Sequence, residues 1–164
     1  MNIIAAADLN WGIGKDGDLL DSIPEDMKFF REKTSDCAVI MGKNTFLSFP
    51  NQKPLPKRLN IVLTSDETFK PEGVTVCRSM EEAVEAAKKE YEDEKIFFIG
   101  GESVYREAEK FADTAYITKI DKKYEADRFL LNFDEIENWY VSNEEMVKTE
   151  KGIYITFVTY KKER

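Results

Sequence analysis

Short apolar runs rich in β-branched residues alternate along the chain with stretches whose apolar positions recur at helical spacing. These runs are unbroken by polar residues, which is typical of strands covered on both faces in a largely parallel sheet. The pattern predicts strands at residues 2–7, 38–41, 60–63, 74–77, 96–99 and 115–120. It predicts helices at residues 24–33, 43–48, 80–91 and 103–111.

The C-terminal part of the chain has a different pattern. Residues 139–147 and 153–160 are β-rich and are separated by Lys151-Gly152, which predicts an antiparallel hairpin. No repeat or linker interrupts the sequence, so we expect one α/β domain over residues 1–164. Its sheet should be open and predominantly parallel, with about eight strands, four flanking helices and the closing hairpin. Such sheets bind ligands at the carboxyl ends of their strands.

The composition narrows the class of partner. A hydrophobic content of 42% with 11 Phe and 7 Tyr is typical of a packed domain. The net charge of −8, with no basic stripe, argues against a nucleic-acid partner. The apolar run at residues 3–7 is too short for a membrane span and has no basic flank, so neither a membrane nor a signal peptide is expected.

The cysteines and histidines limit the possible chemistry. Cys37 and Cys77 lie in strand-like runs without a paired cysteine motif, which favours small buried side chains in a reducing, cytoplasmic setting. The chain has no histidine, so a metal site is not expected. General acid–base catalysis near neutral pH would therefore depend on a carboxylate with a shifted pKa or on a water beside one.

Asp26 is the carboxylate best placed for that role. It follows Ser22-Ile23-Pro24-Glu25, whose spacing predicts a capping box, and it shares a helix face with Phe30 one turn later. An acid among apolar neighbours needs a raised pKa or a cationic partner. The alternative, a first-turn acid that faces water and favours the helix dipole, stays open at this point. A second capping box is predicted at Ser79–Glu82.

Glycines mark three places where a strand ends. Residues 11–17 do not open a helix, so they fail the dinucleotide fingerprint and are better explained as a mobile loop or lid. Gly42-Lys43 and Gly100-Gly101 each join a strand to a helix, where free N–H groups attract phosphate. Ordinary turn chemistry explains either one alone. Together they indicate a ligand with more than one phosphate.

A proline-rich loop at residues 53–58 precedes the third predicted strand. Its prolines limit where Arg58 can point, and a fixed guanidinium suits capture of a carboxylate. A solvated basic loop is an equally open explanation.

Taken in order, these segments resemble the dihydrofolate reductase family over essentially the whole chain. Each segment alone is modest evidence, but their order and spacing are specific. The resemblance is carried by residues 4–6, 11–14, 23–27 with Phe30 and Thr34, 39–43 with Thr45, 54–56 with Arg58, 60–64, 99–101 with Val104 and Tyr105, and 116–120.

The resemblance implies an NADPH-dependent enzyme that reduces dihydrofolate to tetrahydrofolate for one-carbon metabolism. It also implies binding of antifolate inhibitors and a monomeric, cytoplasmic protein. Two alternatives remain: a reductase of another pterin, and a non-catalytic relative that binds a pterin or nucleotide. The first would have no use for Arg58, because its substrate lacks a glutamate tail.

The resemblance implies that the substrate meets one acid, an apolar wall and one cation. Asp26 would hold the pterin and promote its protonation, and the hydroxyl of Thr118 would support that contact. Arg58 would pair with the glutamate carboxylate of folate. The wall and the pterin edge would be formed by Met27, Phe30, Phe49, Leu55 and the backbone of Ile4 and Ile99.

The resemblance likewise implies a cofactor site. The loop from Gly12 to Asp18, including Ile13 and Gly14, would close over the nicotinamide, with Ala6 below it. Thr64, Ser65, Lys43 and Arg78 would meet the adenosine and 2′-phosphate. The remaining cofactor residues, grouped around the pyrophosphate and the following helix, would be Asn44, Thr45, Ile99, Gly100, Gly101, Glu102, Ser103, Val104 and Tyr105. The family joins its two glycines by a cis peptide bond, which is expected at Gly100-Gly101.

This chain departs from the family pattern at several positions. Asp21 stands where the family has a Trp that packs beside the substrate; we expect it to turn toward solvent. If it faced inward, its charge would raise the pKa of Asp26. Glu102 and Ser103 stand where some relatives have Gly or Ala and Arg, and Arg128 replaces a Thr.

Overall fold

Eleven strands and four α-helices form the part of the chain described by a computed structural model, residues 1–163, in which Asp18 and Leu19 are described by their backbone alone. The strands are β1 (Asn2–Ala7), β2 (Gly12–Lys15), β3 (Asp18–Leu19), β4 (Ala38–Gly42), β5 (Leu59–Leu63), β6 (Val74–Cys77), β7 (Ile96–Gly100), β8 (Thr114–Ile120), β9 (Arg128–Phe129), β10 (Trp139–Lys148) and β11 (Tyr154–Lys162). The helices are α1 (Pro24–Thr34), α2 (Lys43–Leu47), α3 (Met80–Lys88) and α4 (Glu102–Ala108).

Eight of the strands form one sheet in the order β10-β11-β8-β1-β7-β4-β5-β6. The six from β8 to β6 are parallel, while β11 runs antiparallel to β8 and pairs with β10 in the C-terminal hairpin. The predicted fold class is therefore confirmed: a single-domain α/β fold with a mostly parallel sheet, four helices and a closing hairpin. None of the helices described here has the length and apolar character that a membrane crossing requires.

The sheet lies between two apolar layers because successive residues of a strand point to opposite faces. In β4, Ala38 and Ile40 pack with α3 and α4, whereas Val39 and Met41 pack with α1 and α2. All four side chains are fully buried. This explains why the central strands are continuous apolar runs rather than alternating ones. Because β1, β4, β5 and β7 run parallel, their carboxyl ends lie at one edge of the sheet, where the ligand site was expected.

A second, three-stranded sheet was not predicted. Strand β2 pairs with β3 and β9, so the expected loop at residues 11–17 is wrong in part: residues 12–15 are a strand. The reason is long-range, because Gly12 and Gly14 pair with Phe129 and Arg128, far along the chain. Short glycine-rich strands carry little local β signal.

The two predicted capping boxes have different outcomes. Ser79 caps α3 as expected and accepts a hydrogen bond from the Glu82 N–H (3.1 Å). The box at Ser22 is wrong, because α1 has Ile23 at its N-cap and no side-chain cap. Instead of reaching back, the Glu25 side chain accepts a hydrogen bond from the Glu150 N–H in the hairpin turn (2.9 Å). A tertiary contact therefore replaces the local one.

Candidate functional site

Asp26 lies in the first turn of α1, where its carboxyl group is largely removed from water. Helix α1 packs Phe29 and Phe30 onto the sheet, which turns this first-turn acid toward β8. Burial raises the pKa of Asp26, and a hydrogen bond with the Thr118 side chain partly opposes the shift. Thr118 is 1% exposed. The structure thus brings the predicted pair together, with no cation among the groups that shift the pKa of Asp26.

Tyr105 lies close enough to this acid to sense its charge, and it is hydrogen-bonded to strand β1. Its hydroxyl donates a hydrogen bond to the carbonyl oxygen of Ile4 (2.8 Å). Burial and, to a lesser degree, the nearby charge of Asp26 raise the pKa of Tyr105, which keeps the phenol neutral. From the sequence, Tyr105 was predicted only as a residue of the cofactor site. Its contact with Ile4, which is remote in the chain, has no local signal that could have predicted it.

Most of the predicted apolar wall lies in one cluster. Ile4 and Ile99 are buried, and Phe30, Phe49 and Leu55 pack against the cluster that contains them. These five residues belong to the apolar layer on the α1 and α2 face of the sheet, and α1 is also the helix that carries Asp26. Met27, by contrast, is 47% exposed and its sulfur accepts a hydrogen bond from Ser22 Oγ (3.1 Å).

Arg58 is held by hydrogen bonds from three of its nitrogens. Nε donates to Thr34 Oγ1 (3.0 Å), Nη1 to the carbonyl of Pro56 (2.9 Å) and Nη2 to the carbonyl of Arg31 (3.4 Å). The guanidinium carbon also lies 5.9 Å from the ring centroid of Phe30. Burial lowers the pKa of Arg58. A guanidinium nevertheless remains cationic at neutral pH, because the ordinary arginine pKa is very high. The prediction of a fixed guanidinium is confirmed.

Asn60 shapes the same loop and was missed as a functional residue. It is 2% exposed, and its side chain accepts a hydrogen bond from the Leu55 N–H and donates to the carbonyls of Leu55 and Arg58. It therefore holds the proline-rich loop in the conformation that presents Leu55 and Arg58. A signal was available: a polar amide at the start of an otherwise apolar strand.

Two adjoining cavities form a groove across the carboxyl ends of the parallel strands. Their volumes are about 540 and 480 Å³, and both are lined by Gly42, Leu63, Thr64 and Ser103. Sixteen predicted cofactor residues line one or both cavities: Ala6, Ile13, Gly14, Lys43, Asn44, Thr45, Thr64, Ser65, Arg78, Ile99, Gly100, Gly101, Glu102, Ser103, Val104 and Tyr105. The side chain of Asp18 lies outside the described part of the chain.

At two of the predicted positions, glycine is required for different structural reasons. Gly100 has a φ of +124° and its added Cβ would lie 3.3 Å from the Tyr105 hydroxyl, so the close approach requires glycine. The expected cis peptide bond between Gly100 and Gly101 is present. Gly12 packs away from the groove, where an added Cβ would lie 2.5 Å from the Cβ of Ala126. Gly12 is therefore explained by packing of the small sheet.

Asp21 does not turn to solvent as expected. Its carboxylate accepts hydrogen bonds from the Tyr124 hydroxyl (2.6 Å) and Lys151 Nζ (3.2 Å), and its side chain is 20% exposed. The Tyr124 hydrogen bond, together with Lys151, lowers the pKa of Asp21. Asp21 is also absent from the groups that shift the pKa of Asp26. The structure therefore gives no support to the hypothesis that Asp21 raises the pKa of Asp26, since the charge of Asp21 is compensated locally.

Comparison with known proteins gives one consistent family. A family model described as dihydrofolate reductase matches residues 1–162. The Bacillus subtilis (strain 168) dihydrofolate reductase is 39% identical over 164 residues, covering 99% of this chain and 94% of the relative. The Drosophila melanogaster dihydrofolate reductase is 41% identical over 140 residues, covering 78% and 77%.

A solved structure agrees with these sequence matches. The dihydrofolate reductase from Enterococcus faecalis, complexed with NADP(H) and RAB-propyl, superposes with a TM-score of 0.88. The two chains are 32% identical, and the match covers 99% of this chain and 96% of the other.

Proposed function

Since this chain belongs to the dihydrofolate reductase family, we propose that it reduces 7,8-dihydrofolate to 5,6,7,8-tetrahydrofolate with NADPH. The product would supply one-carbon metabolism. The observation that carries the proposal is the largely buried Asp26 carboxyl, whose pKa is raised by burial, in a fold whose strand ends also form a groove lined by the predicted cofactor residues. The domain would extend over residues 1–164.

Asp26 supplies the acid–base function. The groove residues would hold NADPH, which would supply the hydride for the imine carbon of the pterin. The neighbouring ring nitrogen must then gain a proton, and a carboxyl group with a raised pKa is suited to promote that step near neutral pH. The hydrogen bond from Thr118 would hold the Asp26 carboxyl in the orientation that meets the pterin. Among the described residues there is no cluster of His, Cys, Asp and Glu that could hold a metal ion.

The apolar cluster and Arg58 define the substrate class. Phe30, Phe49 and Leu55 would pack on the pterin and benzoyl rings, and the backbones of Ile4 and Ile99 would meet the pterin edge. Arg58 would pair with the glutamate carboxylate, and its three internal hydrogen bonds limit the entropy lost on binding. Antifolate inhibitors that carry the same ring system would bind in the same place.

The donor set of the groove fits NADPH. Ala6, Ile13 and Ile99 give an apolar end suited to nicotinamide, and glycines at the carboxyl ends of the strands allow the backbone to approach phosphates. At the other end, Ser65 and Arg78 line the second cavity, where Arg78 Nη1 donates to the carbonyl of Thr64 (3.3 Å). These groups would hold the adenosine and its 2′-phosphate.

The direct test is oxidation of NADPH by the purified full chain, with and without dihydrofolate, followed by absorbance. We expect oxidation only when dihydrofolate is present, with tetrahydrofolate recovered in equal amount. Oxidation with a pterin that lacks glutamate but not with dihydrofolate would indicate a different reductase. Tight binding of both ligands without oxidation would contradict the proposal and indicate a binding protein.

The assembly and location are further proposals. We expect a monomer, which is checked by light scattering after gel filtration. A cytoplasmic location is consistent with two free, buried cysteines, Cys37 and Cys77. Fractionation of the source cells checks it.

A further inference from the structure

The cofactor groove contains a cation whose role the family resemblance does not assign, Arg128 in β9. Three basic side chains line the larger cavity, Lys15, Lys43 and Arg128. Lys15 Nζ lies 2.9 Å from Glu125 Oε2, and Lys43 Nζ lies 2.7 Å from Asp66 Oδ2. Short ion pairs therefore already engage two of the three cations.

Arg128, by contrast, has no short ion pair with a carboxylate in the described part of the chain. Its Nη1 donates to the carbonyl oxygen of Asp127 (3.0 Å), and the nearest carboxylate oxygen, also of Asp127, is 3.8 Å away. The other guanidinium nitrogens have no hydrogen-bond partner among the residues that the structure describes. The side chain is 61% exposed. Arg128 thus has donors free to meet an anion that enters the groove.

The backbone that carries Arg128 is held in place on both sides. Glu102 Oε1 accepts a hydrogen bond from the Phe129 N–H (3.2 Å), which ties β9 to the start of α4 across the groove. On the other side, the Asp127 N–H donates to the carbonyl of Gly14 in β2 (2.9 Å). These two contacts flank Arg128 directly, so its side chain starts from a defined place on the cavity wall.

Glu102 would repel a phosphate if its charge were free. It is not, because its Oε1 accepts the Phe129 N–H and lies 3.5 Å from Arg106 Nη2. Ser103, the next residue of α4, is uncharged, so the α4 wall has no cation directed at the cavity. Positive charge at this part of the cavity is therefore supplied by other elements, and Arg128 of β9, next to the residue that Glu102 contacts, is one source.

We propose that Arg128 binds the pyrophosphate of the dinucleotide cofactor, an inference that rests on the proposed function. Its cavity neighbours are Gly14, Thr45 and residues 99–103. Arg78 and Ser65, expected at the 2′-phosphate, line the other cavity instead. A planar guanidinium with free donors suits two phosphate oxygens at once.

The test compares Arg128→Gln and Arg128→Lys with the wild type and with Lys123→Gln. Lys123 is an exposed cation of the same connection, so its replacement removes the same charge from the same region. The measured quantities are dissociation constants for NADPH, NADH and adenosine 2′-monophosphate, and kcat at saturating cofactor. Dihydrofolate binding checks that each variant is folded.

We expect Arg128→Gln to weaken NADPH and NADH binding by about tenfold each, since both contain the pyrophosphate. Adenosine 2′-monophosphate binding and kcat should stay unchanged. Arg128→Lys should recover part of the affinity, and Lys123→Gln should change it by less than about twofold. The difference between Arg128→Gln and wild type should shrink at high salt, because exposed charges are screened.

Two results would overturn this inference while leaving the reductase proposal intact. One is Arg128→Gln binding both cofactors as tightly as Lys123→Gln in an active enzyme. The other is a loss confined to NADPH and adenosine 2′-monophosphate, which would place Arg128 at the 2′-phosphate. Conversely, a wild type that binds NADPH through Arg128 but never oxidises it would overturn the reductase proposal alone.

Discussion

The Asp26 pocket and the cofactor groove lie side by side at one edge of the sheet, yet they control charge in opposite ways. In the pocket a single carboxyl group is buried, and its burial raises the pKa of Asp26. In the groove several charged side chains are partly exposed, and ion pairs such as Lys43 with Asp66 compensate them. Burial therefore has the largest effect on charge around Asp26, whereas local ion pairing has the largest effect on charge in the groove.

The difference indicates what each region can do. A carboxyl group in a poorly solvated pocket can change protonation near neutral pH, so the pocket is suited to chemistry. Exposed, screened cations contribute affinity in modest steps, so the groove is suited to holding a large anion. Substitutions in the pocket should therefore alter rate and pH dependence, whereas those in the groove should alter cofactor affinity.

The largest expected effect is the loss of activity in Asp26→Asn. An amide of the same shape cannot supply the proton, so kcat at neutral pH should fall by about a thousandfold. Activity should return in part as the pH is lowered, because dihydrofolate is then protonated from solution. The measurement is the pH–rate profile with saturating NADPH. A variant that keeps wild-type turnover at neutral pH would remove Asp26 from the mechanism.

Arg58→Leu should separate substrate binding from cofactor binding. Loss of a fixed cation facing a carboxylate should raise the KM for dihydrofolate by about a hundredfold. The dissociation constant for NADPH should not change, because Arg58 lies outside the groove. Lys57→Leu, an exposed neighbour, is the control and should leave KM nearly unchanged. Unfolding curves are measured as well, since Arg58 also braces Thr34. An equal rise in the KM for dihydrofolate in Arg58→Leu and Lys57→Leu would contradict a specific role of Arg58 in substrate binding.

Asp26→Asn should also stabilise the protein at neutral pH. Because burial raises the pKa of Asp26 above its ordinary value of 3.8, the folded state holds this proton more tightly than the unfolded state. The stabilisation of the fold by this proton is fully present below the pKa that Asp26 has in the unfolded state. It is lost as the pH rises through the pKa that Asp26 has in the folded state. We expect a gain of about 1 kcal/mol in the free energy of unfolding at neutral pH, vanishing below about pH 3.

Asp21→Asn is the matched control for that stability change, with the opposite sign. The pKa of Asp21 is lowered, chiefly by the Tyr124 hydrogen bond, so its ionised form stabilises the fold above the unfolded pKa. That stabilisation is lost as the pH falls through the folded pKa. Denaturant titrations at several pH values distinguish the two variants. Loss of stability in both at neutral pH would contradict the burial argument for Asp26.

The smallest expected effect is on the pH–rate profile of Asp21→Asn. Tyr124 and Lys151 compensate the charge of Asp21, and Asp21 is not among the groups that shift the pKa of Asp26. The midpoint of the profile should therefore stay within about 0.2 pH units of the wild type. A clear downward shift of the midpoint would show that the two carboxylates interact.

Local patterns were sufficient to predict most of the parallel sheet and several site residues. The central strands are recognisable because burial on both faces requires continuous apolar runs. Asp26 stands out as an acid on an apolar helix face, and Arg58 as a cation in a stiff loop. Gly100 stands out because a close backbone approach excludes side chains. In each case the physical requirement acts within a few residues, so it is visible in the sequence.

Apart from Asn60, the features that were missed depend on distant partners. The strand at Gly12–Lys15 exists because β9 pairs with it, and the Tyr105 hydroxyl donates a hydrogen bond to Ile4, which is 101 residues away in the chain. Asp21 is compensated by Tyr124 and Lys151 from other parts of the chain.

By itself, the sequence determined the order of the parallel strands, the four helices and the closing hairpin, and the chemical types of residue at the sheet edge. Only the tertiary structure decided which charges are paired and which are free, including Asp21 and Arg128. The physical reason is that a pKa or an ion pair depends on distances of a few ångströms between chain segments. Hydrophobic periodicity does not contain those distances.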